Sequence, residues 1–256
     1  MRAALLLVLV LSVLALPAPA QTLADRHYDA AQMAAAREQL RREVGGQTLV
    51  GAQVERLEYG SGEGDAHWLW DAEGWFGGDI HRLKLETEGE YATAADTVEE
   101  AELQALYSRA ISRYFDLQLG WRADLEPGPR RHFAVLSVEG MAPYWTEVQA
   151  SAFVSNDGDL SARVELEYAL FLSQRLILAP RLEVEAGAQA VRRHDLGAGL
   201  RSLETGLRLR YELRRQFAPY VGVSWHRALG DTADRMRDAG GEAGTLSWLV
   251  GVRLWF

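Results

Sequence analysis

The chain has 256 residues, 48% hydrophobic and 25% charged, and its 27 Lys+Arg against 36 Asp+Glu give a formal net charge of −9. It contains no cysteine, which excludes a disulfide framework and a thiolate metal centre, and its acidic balance argues against a nucleic-acid binder, which needs a clustered basic face. Beyond the N-terminus no apolar run approaches the roughly 20 residues of a membrane helix, so a multi-span helical membrane protein is excluded too.

Residues 1–20 read as a secretory signal peptide. Arg2 supplies the positive start, residues 3–16 an apolar stretch, and Ala18-Pro19-Ala20 the small residues that precede a cleavage site. Residues 21–47 read as a short periplasmic segment with a helix over 29–44. Asp29 is placed to cap it, an Ala-rich run favours it, and Gly45-Gly46 stops it. Only Met33, Leu40 and Val44 fall near one face, too little apolar surface for a domain.

From residue 48 to residue 256 the period is two. Leu160, Ala162, Val164, Leu166, Tyr168, Leu170 and Leu172 alternate with Ser161, Arg163, Glu165 and Glu167. A helix would scatter these residues over every face, whereas a strand sends them to opposite sides. The same alternation recurs in Leu203–Leu213, Leu176–Ala186, Phe115–Ala123 and Leu246–Phe256. It marks strands near 49–59, 65–76, 79–91, 99–111, 113–125, 131–142, 145–155, 159–172, 175–189, 198–213, 216–228 and 245–256. Strands of this length exceed the 5–6 residues typical of soluble sheets and suit the roughly 9–11 residues of a tilted membrane-spanning strand. The connections alternate between tight turns, as at Gly77-Gly78 and Arg214-Arg215, and mostly longer polar loops, as at 92–98 and 230–244. Together these features predict an all-β, transmembrane, up-and-down antiparallel β-barrel of about 12 strands with a short N-terminal periplasmic helix, in the outer membrane of a Gram-negative bacterium. A soluble sandwich or a lipocalin-like barrel would show the same period, but with shorter strands or with its charged face turned outward.

A Gly-Gly pair is a strong hairpin signal, because tight primed turns need positive φ. Centring the turn on Gly77-Gly78 sets Glu73 opposite Arg82, Asp71 opposite Lys84, Leu69 opposite Glu86 and His67 opposite Glu88, all on the charged face. Trp68, Trp70, Leu83 and Leu85 fall on the other face. The expected inward row of Glu86, Glu88 and Glu90, with His67 across from it and Asp71 and Glu73 on the same wall, offers carboxylate and imidazole ligands suited to Cu(II) or a similar divalent ion. The candidate metal contacts are therefore His67, Asp71, Glu73, Glu86 and Glu88. Soft ligands for Cu(I) are scarce: beyond the signal peptide the methionines are Met33, Met141 and Met236. The other histidines are scattered, with no chelating spacing such as H-x-x-x-H.

The block from Trp70 to Glu90, with its tryptophan-rich strand, its Phe76-Gly77-Gly78-Asp79 turn and its closing Glu88-Gly89-Glu90, resembles the copper resistance protein B family of outer-membrane proteins. Leu117–Arg122, Gly140–Tyr144, Leu178–Arg181 and Ala218–Val223 are similar to that family as well, so the resemblance extends over residues 45–256. It implies an outer-membrane barrel for copper tolerance that binds copper ions, exports or sequesters them, and acts with periplasmic copper-resistance proteins. Many members carry a Met/His-rich segment before the barrel, where this chain has a short Ala-rich helix. Three rival functions compete with this reading, and a structural or adhesin barrel is disfavoured by loops too short for an elaborate outer surface. Hydrolysis is disfavoured, because Ser224 and His226 are two strand positions apart, nearly 7 Å by the usual rise, and no G-x-S-x-G occurs. A porin-like channel for small charged solutes is the alternative, with Arg163, Arg181, Arg208 and Arg210 lining an anion path.

Overall fold

A computed structural model describes residues 27–63 and 66–256; the signal-peptide reading of residues 1–20 and the expected strand start at Asp65 lie outside the described residues. The chain divides into two units at Thr48 and Leu49, each described by itself. In the first, helix α1 (Ala30–Val44) starts where an Asp29 carboxylate oxygen accepts hydrogen bonds from the N–H groups of Ala31 at 3.1 Å and Gln32 at 3.4 Å. That satisfies two of the donors a helix N-terminus leaves free. No helix among the described residues is long and apolar enough to cross a membrane.

The second unit is a closed antiparallel barrel. Its strands are β1 (Leu49–Gly62), β2 (His67–Gly77), β3 (His81–Ala92), β4 (Thr97–Ala110), β5 (Phe115–Glu126), β6 (Arg131–Ala142), β7 (Thr146–Ser155), β8 (Leu160–Tyr168), β9 (Leu170–Phe171), β10 (Leu176–Gly187), β11 (Gly199–Tyr211), β12 (Phe217–Ala228) and β13 (Gly244–Trp255), with helix α2 (Gly230–Asp238) between β12 and β13. The two-residue β9 continues β8 past Ala169, and both pair with β10, so the wall has twelve positions. Each strand pairs with its sequence neighbour, and β13 returns to β1, matching Trp255 to Gln53 and Ser247 to Gly62. Closure leaves no unpaired sheet edge, the requirement that lipid imposes on a β structure.

The alternation read from sequence sorts the side chains as expected. Leu83, Leu85, Leu119, Leu136, Val221, Trp248 and Val250 point outward and are exposed, forming the apolar belt of a lipid-facing wall. Inward positions bury Arg56, Glu58, Lys84, Glu102, Arg181 and Arg208. Strand β1 changes phase on the way: its pairing with β2 shifts between Val54 and Arg56. A β-bulge there lets Gln53 and Glu55, then Arg56 and Glu58, all line the interior.

The β2–β3 register differs from the expected one by four residues. Gly77 opposes Arg82, Glu73 opposes Glu86, Asp71 opposes Glu88, Leu69 opposes Glu90 and His67 opposes Ala92. The hairpin is closed by Gly78 N–H donating to the His81 carbonyl at 2.9 Å, so the connection is longer than a two-residue turn. Only Gly77, at φ +151, uses a glycine-only conformation there. Because the shift is even, every side chain keeps its face. Aromatic packing explains the register. Trp70 lies over Gly89 and Trp75 over Gly51, so that a Cβ added at either glycine would strike the indole ring. Gly89→Val should therefore cost about 1–3 kcal/mol by overpacking, read as a lowered urea midpoint of the folded barrel.

The other connections at the end of the β2–β3 turn, 111–114, 143–145, 172–175 and 212–216, are short as expected. At the other end, only the connections 188–198 and 229–243 are long. The second contains α2, where the sequence pattern predicts a polar loop. The flanking Gly230, Gly240 and Gly241 hide a short helix with Asp231 in its first turn and Arg235 and Arg237 in its last. It is held in place by burial of Thr232 and Ala233 and by Gly197 N–H donating to Thr232 Oγ1 at 2.9 Å.

Candidate functional site: a charged lumen

Two cavities occupy the barrel interior. The one at the loop end has a volume of about 600 Å³ and the one at the turn end about 460 Å³. Carboxylates dominate both linings, eleven against four arginines at the loop end and ten against four at the turn end. Glu88, Glu102 and Arg163 line both cavities and so lie on the layer that separates them.

That layer is a belt of ion pairs, some between neighbouring strands and some spanning the lumen. Arg163 on β8 reaches Glu88 on β3 at 3.5 Å, Glu102 on β4 at 3.3 Å, and Glu183 and Glu185 on β10 at 3.5 and 2.8 Å. Arg181 binds Glu165 at 2.5 Å, Glu183 at 2.9 Å and Glu204 at 3.6 Å. Arg56 binds Asp71 at 3.0 Å and also pairs with Glu88. Arg122 binds Glu102 at 2.6 Å and Asp124 at 2.7 Å, and its guanidinium stands 4.9 Å from the Phe153 ring centre. The planar, permanently charged fork of arginine suits such multidentate bridging between strands. The arginines expected to line an anion path are thus engaged with carboxylates; Arg208 binds Glu58 at 2.5 and 3.1 Å, and Arg210 lies 4.0 Å from Glu167.

The structure separates the five candidate metal contacts into three places. Asp71 and Glu88 meet at Arg56. Glu73 and Glu86 meet at Lys84, at 2.9 and 3.1 Å. His67 lies at the loop end, its Nδ1 3.6 Å from Glu90. The expected pairs Glu73–Arg82 and Asp71–Lys84 are replaced accordingly, and Arg82 binds Asp116 at 3.3 Å. Among the described residues no group of three or more His, Asp or Glu is set to hold a metal ion. Ser224 donates its hydroxyl to Glu204 at 3.1 Å. His67, His194 and His226 all line the loop-end cavity. His194 lies in the loop, where burial and the Arg131 and Arg193 charges hold its imidazole below the usual range and so keep it in the neutral, ligating form. Sequence parity marked which residues face inward. It carried no signal for the pairing of Arg163 with Glu88 and Glu102 or of Lys84 with Glu139, because those contacts cross the lumen between strands far apart in the chain.

The comparisons agree with this architecture. A solved structure described as NanC porin superposes with a TM-score of 0.50, covering 80% of this chain and 99% of that chain at 11% identity, a likeness of fold alone. A copper resistance protein B homolog of Pseudomonas syringae pv. tomato is 41% identical over 203 residues, 79% of this chain and 68% of the relative. Copper resistance protein B of Escherichia coli is 38% identical over the same shares of both chains. Residues 48–256, the whole barrel, match the family described as Copper resistance protein B precursor (CopB). An outer-membrane barrel with a charged interior, sharing sequence with these relatives along nearly its full wall, belongs to the copper resistance protein B family.

Proposed function

We propose that this barrel contributes to copper resistance by taking copper(II) into its lumen and either exporting it across the outer membrane or sequestering it there. The observation that supports this reading is the excess of carboxylate over guanidinium on the walls of both cavities. Such walls concentrate cations and disfavour anions. Copper(II) stands at the top of the affinity order for divalent ions on nitrogen and oxygen ligands. With the carboxylates drawn into ion pairs, binding in the lumen is a competition between copper and the arginines or Lys84. His67, Asp71, Glu73, Glu86 and Glu88 are the proposed contacts, His67 with Glu90 nearest the loop end and the other four around the belt and the turn-end cavity. The turn end is proposed to face the periplasm, where copper-resistance partners would exchange the ion.

Calorimetric titration of the detergent-folded barrel with Cu(II), with Zn(II) as control, tests the reading. Saturable, copper-preferring binding is expected. The His67→Ala, Glu88→Gln double variant should weaken it about tenfold or more, since each lost charged contact is worth about 1.5–3 kcal/mol. Unchanged binding in that variant would remove those two residues from the copper path. Anion-selective conductance without copper binding would favour a porin-like channel instead.

A further inference from the structure

The chain's one lysine sits, like Arg163 and Arg181, among several carboxylates, but at the turn end of the lumen. The Lys84 ammonium lies 2.9 Å from Glu73, 3.1 Å from Glu86 and 2.7 Å from Glu139, and the side chain is only 8% exposed. The three carboxylates come from β2, β3 and β6, which the fold brings together at the turn end of the lumen. Gln118 of β5 adds a further group. It is completely buried, its amide N–H donates to Glu139, and its carbonyl oxygen has no hydrogen-bond partner.

Three carboxylates around one ammonium leave two negative charges uncompensated, and the amide that donates to Glu139 keeps a buried carbonyl oxygen without a partner. An unsatisfied acceptor of this kind is costly unless something else fills the place. All the ligand atoms are hard oxygens, the set preferred by divalent cations. The residue that holds them together is also informative. The belt is built from arginines, whose forks lock strands to one another, whereas lysine is a compact charge on a flexible four-carbon stem that can withdraw.

We propose that Glu73, Glu86, Glu139 and the Gln118 carbonyl form a divalent-cation site at the turn end of the lumen. Lys84 fills it as a tethered counter-ion and leaves it when the cation binds. Distances of 2.7 to 3.1 Å suit an ammonium, and with Lys84 in place the three carboxylates are not set to hold a metal ion. Oxygen ligands sit about 2.0–2.6 Å from a divalent ion, so the carboxylates close in as Lys84 withdraws. The inference rests on the cation reading above and gives it a place and a competitor.

Lys84 is its own reporter, because it carries the only side-chain amine in the protein. The full-length, detergent-folded barrel is treated with an amine-acylating reagent, alone or with Cu(II), Zn(II) or Ca(II), and acylation at Lys84 is read by peptide mass spectrometry. Saturating Cu(II) is expected to speed acylation of Lys84 about tenfold, and Lys84→Met to bind Cu(II) about tenfold more tightly, the factor set by losing one charged competitor. Glu139→Gln should abolish the acylation response; heat-modifiable migration on gels verifies that each variant is folded. If Cu(II) binds while Lys84 acylation and Lys84→Met affinity stay unchanged, the site is overturned and the copper reading survives. If Cu(II) does not bind but Zn(II) or Ca(II) accelerates acylation, the site stands and the copper reading falls. No response of Lys84 to any of the three ions overturns the site.

Discussion

Exchange of Arg163 for methionine should destabilise the folded barrel by about 3–5 kcal/mol, the cost of removing one partner from a buried charge network, and open the lumen to ions. Its guanidinium is 12% exposed and is shared by Glu88, Glu102, Glu183 and Glu185, which belong to three strands other than its own. Methionine keeps much of the volume and removes the charge, leaving four carboxylates to repel one another across the gap. Two measurements check the result: the urea midpoint of the barrel in lipid vesicles falls, and single-channel conductance in planar bilayers rises. The Arg193→Met exchange is the control. Arg193 pairs with Asp157 at 2.7 Å, but the two side chains are 59% and 39% exposed. A surface pair of that kind contributes about 0–1 kcal/mol, so midpoint and conductance should both stay near wild type. Equal conductance in the Arg163→Met barrel would show that the belt is not the seal.

The second large effect is expected at the closing seam. Glu58 on β1 is 1% exposed and accepts hydrogen bonds from Arg208 on β11 at 2.5 and 3.1 Å and from the Tyr220 hydroxyl on β12 at 2.9 Å. These bonds reach from the first strand past β13 to the two strands before it, so they tie the closure of the barrel from inside. Glu58→Ala strands the Arg208 charge in a buried position, again at about 3–5 kcal/mol. The Glu58→Leu, Arg208→Met double variant removes both charges and should recover most of that loss, since a buried ion pair often exchanges for apolar groups at little cost. Denaturant titrations of the two variants, compared as a double-mutant cycle, read the coupling directly. A double variant as unstable as Glu58→Ala would mean that packing, rather than charge, holds the seam.

The fold was largely legible in the sequence because a membrane barrel writes its architecture in parity. Leu160 to Leu172 announces both a strand and the side each residue takes, and the structure places Arg163, Glu165 and Arg181 inward as that alternation requires. Asp29 announced its helix in the same local way. What parity cannot encode is phase between strands or partnership across the lumen. The Gly77-Gly78 pair suggested a tighter hairpin than the one formed, because the glycine that matters for register is Gly89, whose bare backbone receives the Trp70 ring. Lys84 finds Glu139, and Arg163 finds Glu88, through empty space rather than along a ladder. The candidate contacts were therefore placed on the correct wall, while their positively charged partners were visible only once the wall was closed.

The phase change in β1 has a consequence for the lumen's electrical profile. A regular strand would offer one inward side chain every second residue, and neighbouring charges would be divided between lumen and lipid. By inserting one residue between Val54 and Arg56, β1 turns Glu55 and Arg56 to the same side. An anion and a cation thus stand next to each other along the pore axis, Glu55 bound to Arg253 at 2.8 Å toward the turn end and Arg56 within the belt. Deleting Glu55 would restore an unbroken ladder in which Arg56 still opposes Asp71 and Arg56 and Glu58 still face the lumen, while the anion beside Arg56 and its bond to Arg253 would be lost. The irregularity is thus a polarity step written into the backbone, which sets a negative stretch of the lumen wall immediately beside a positive one.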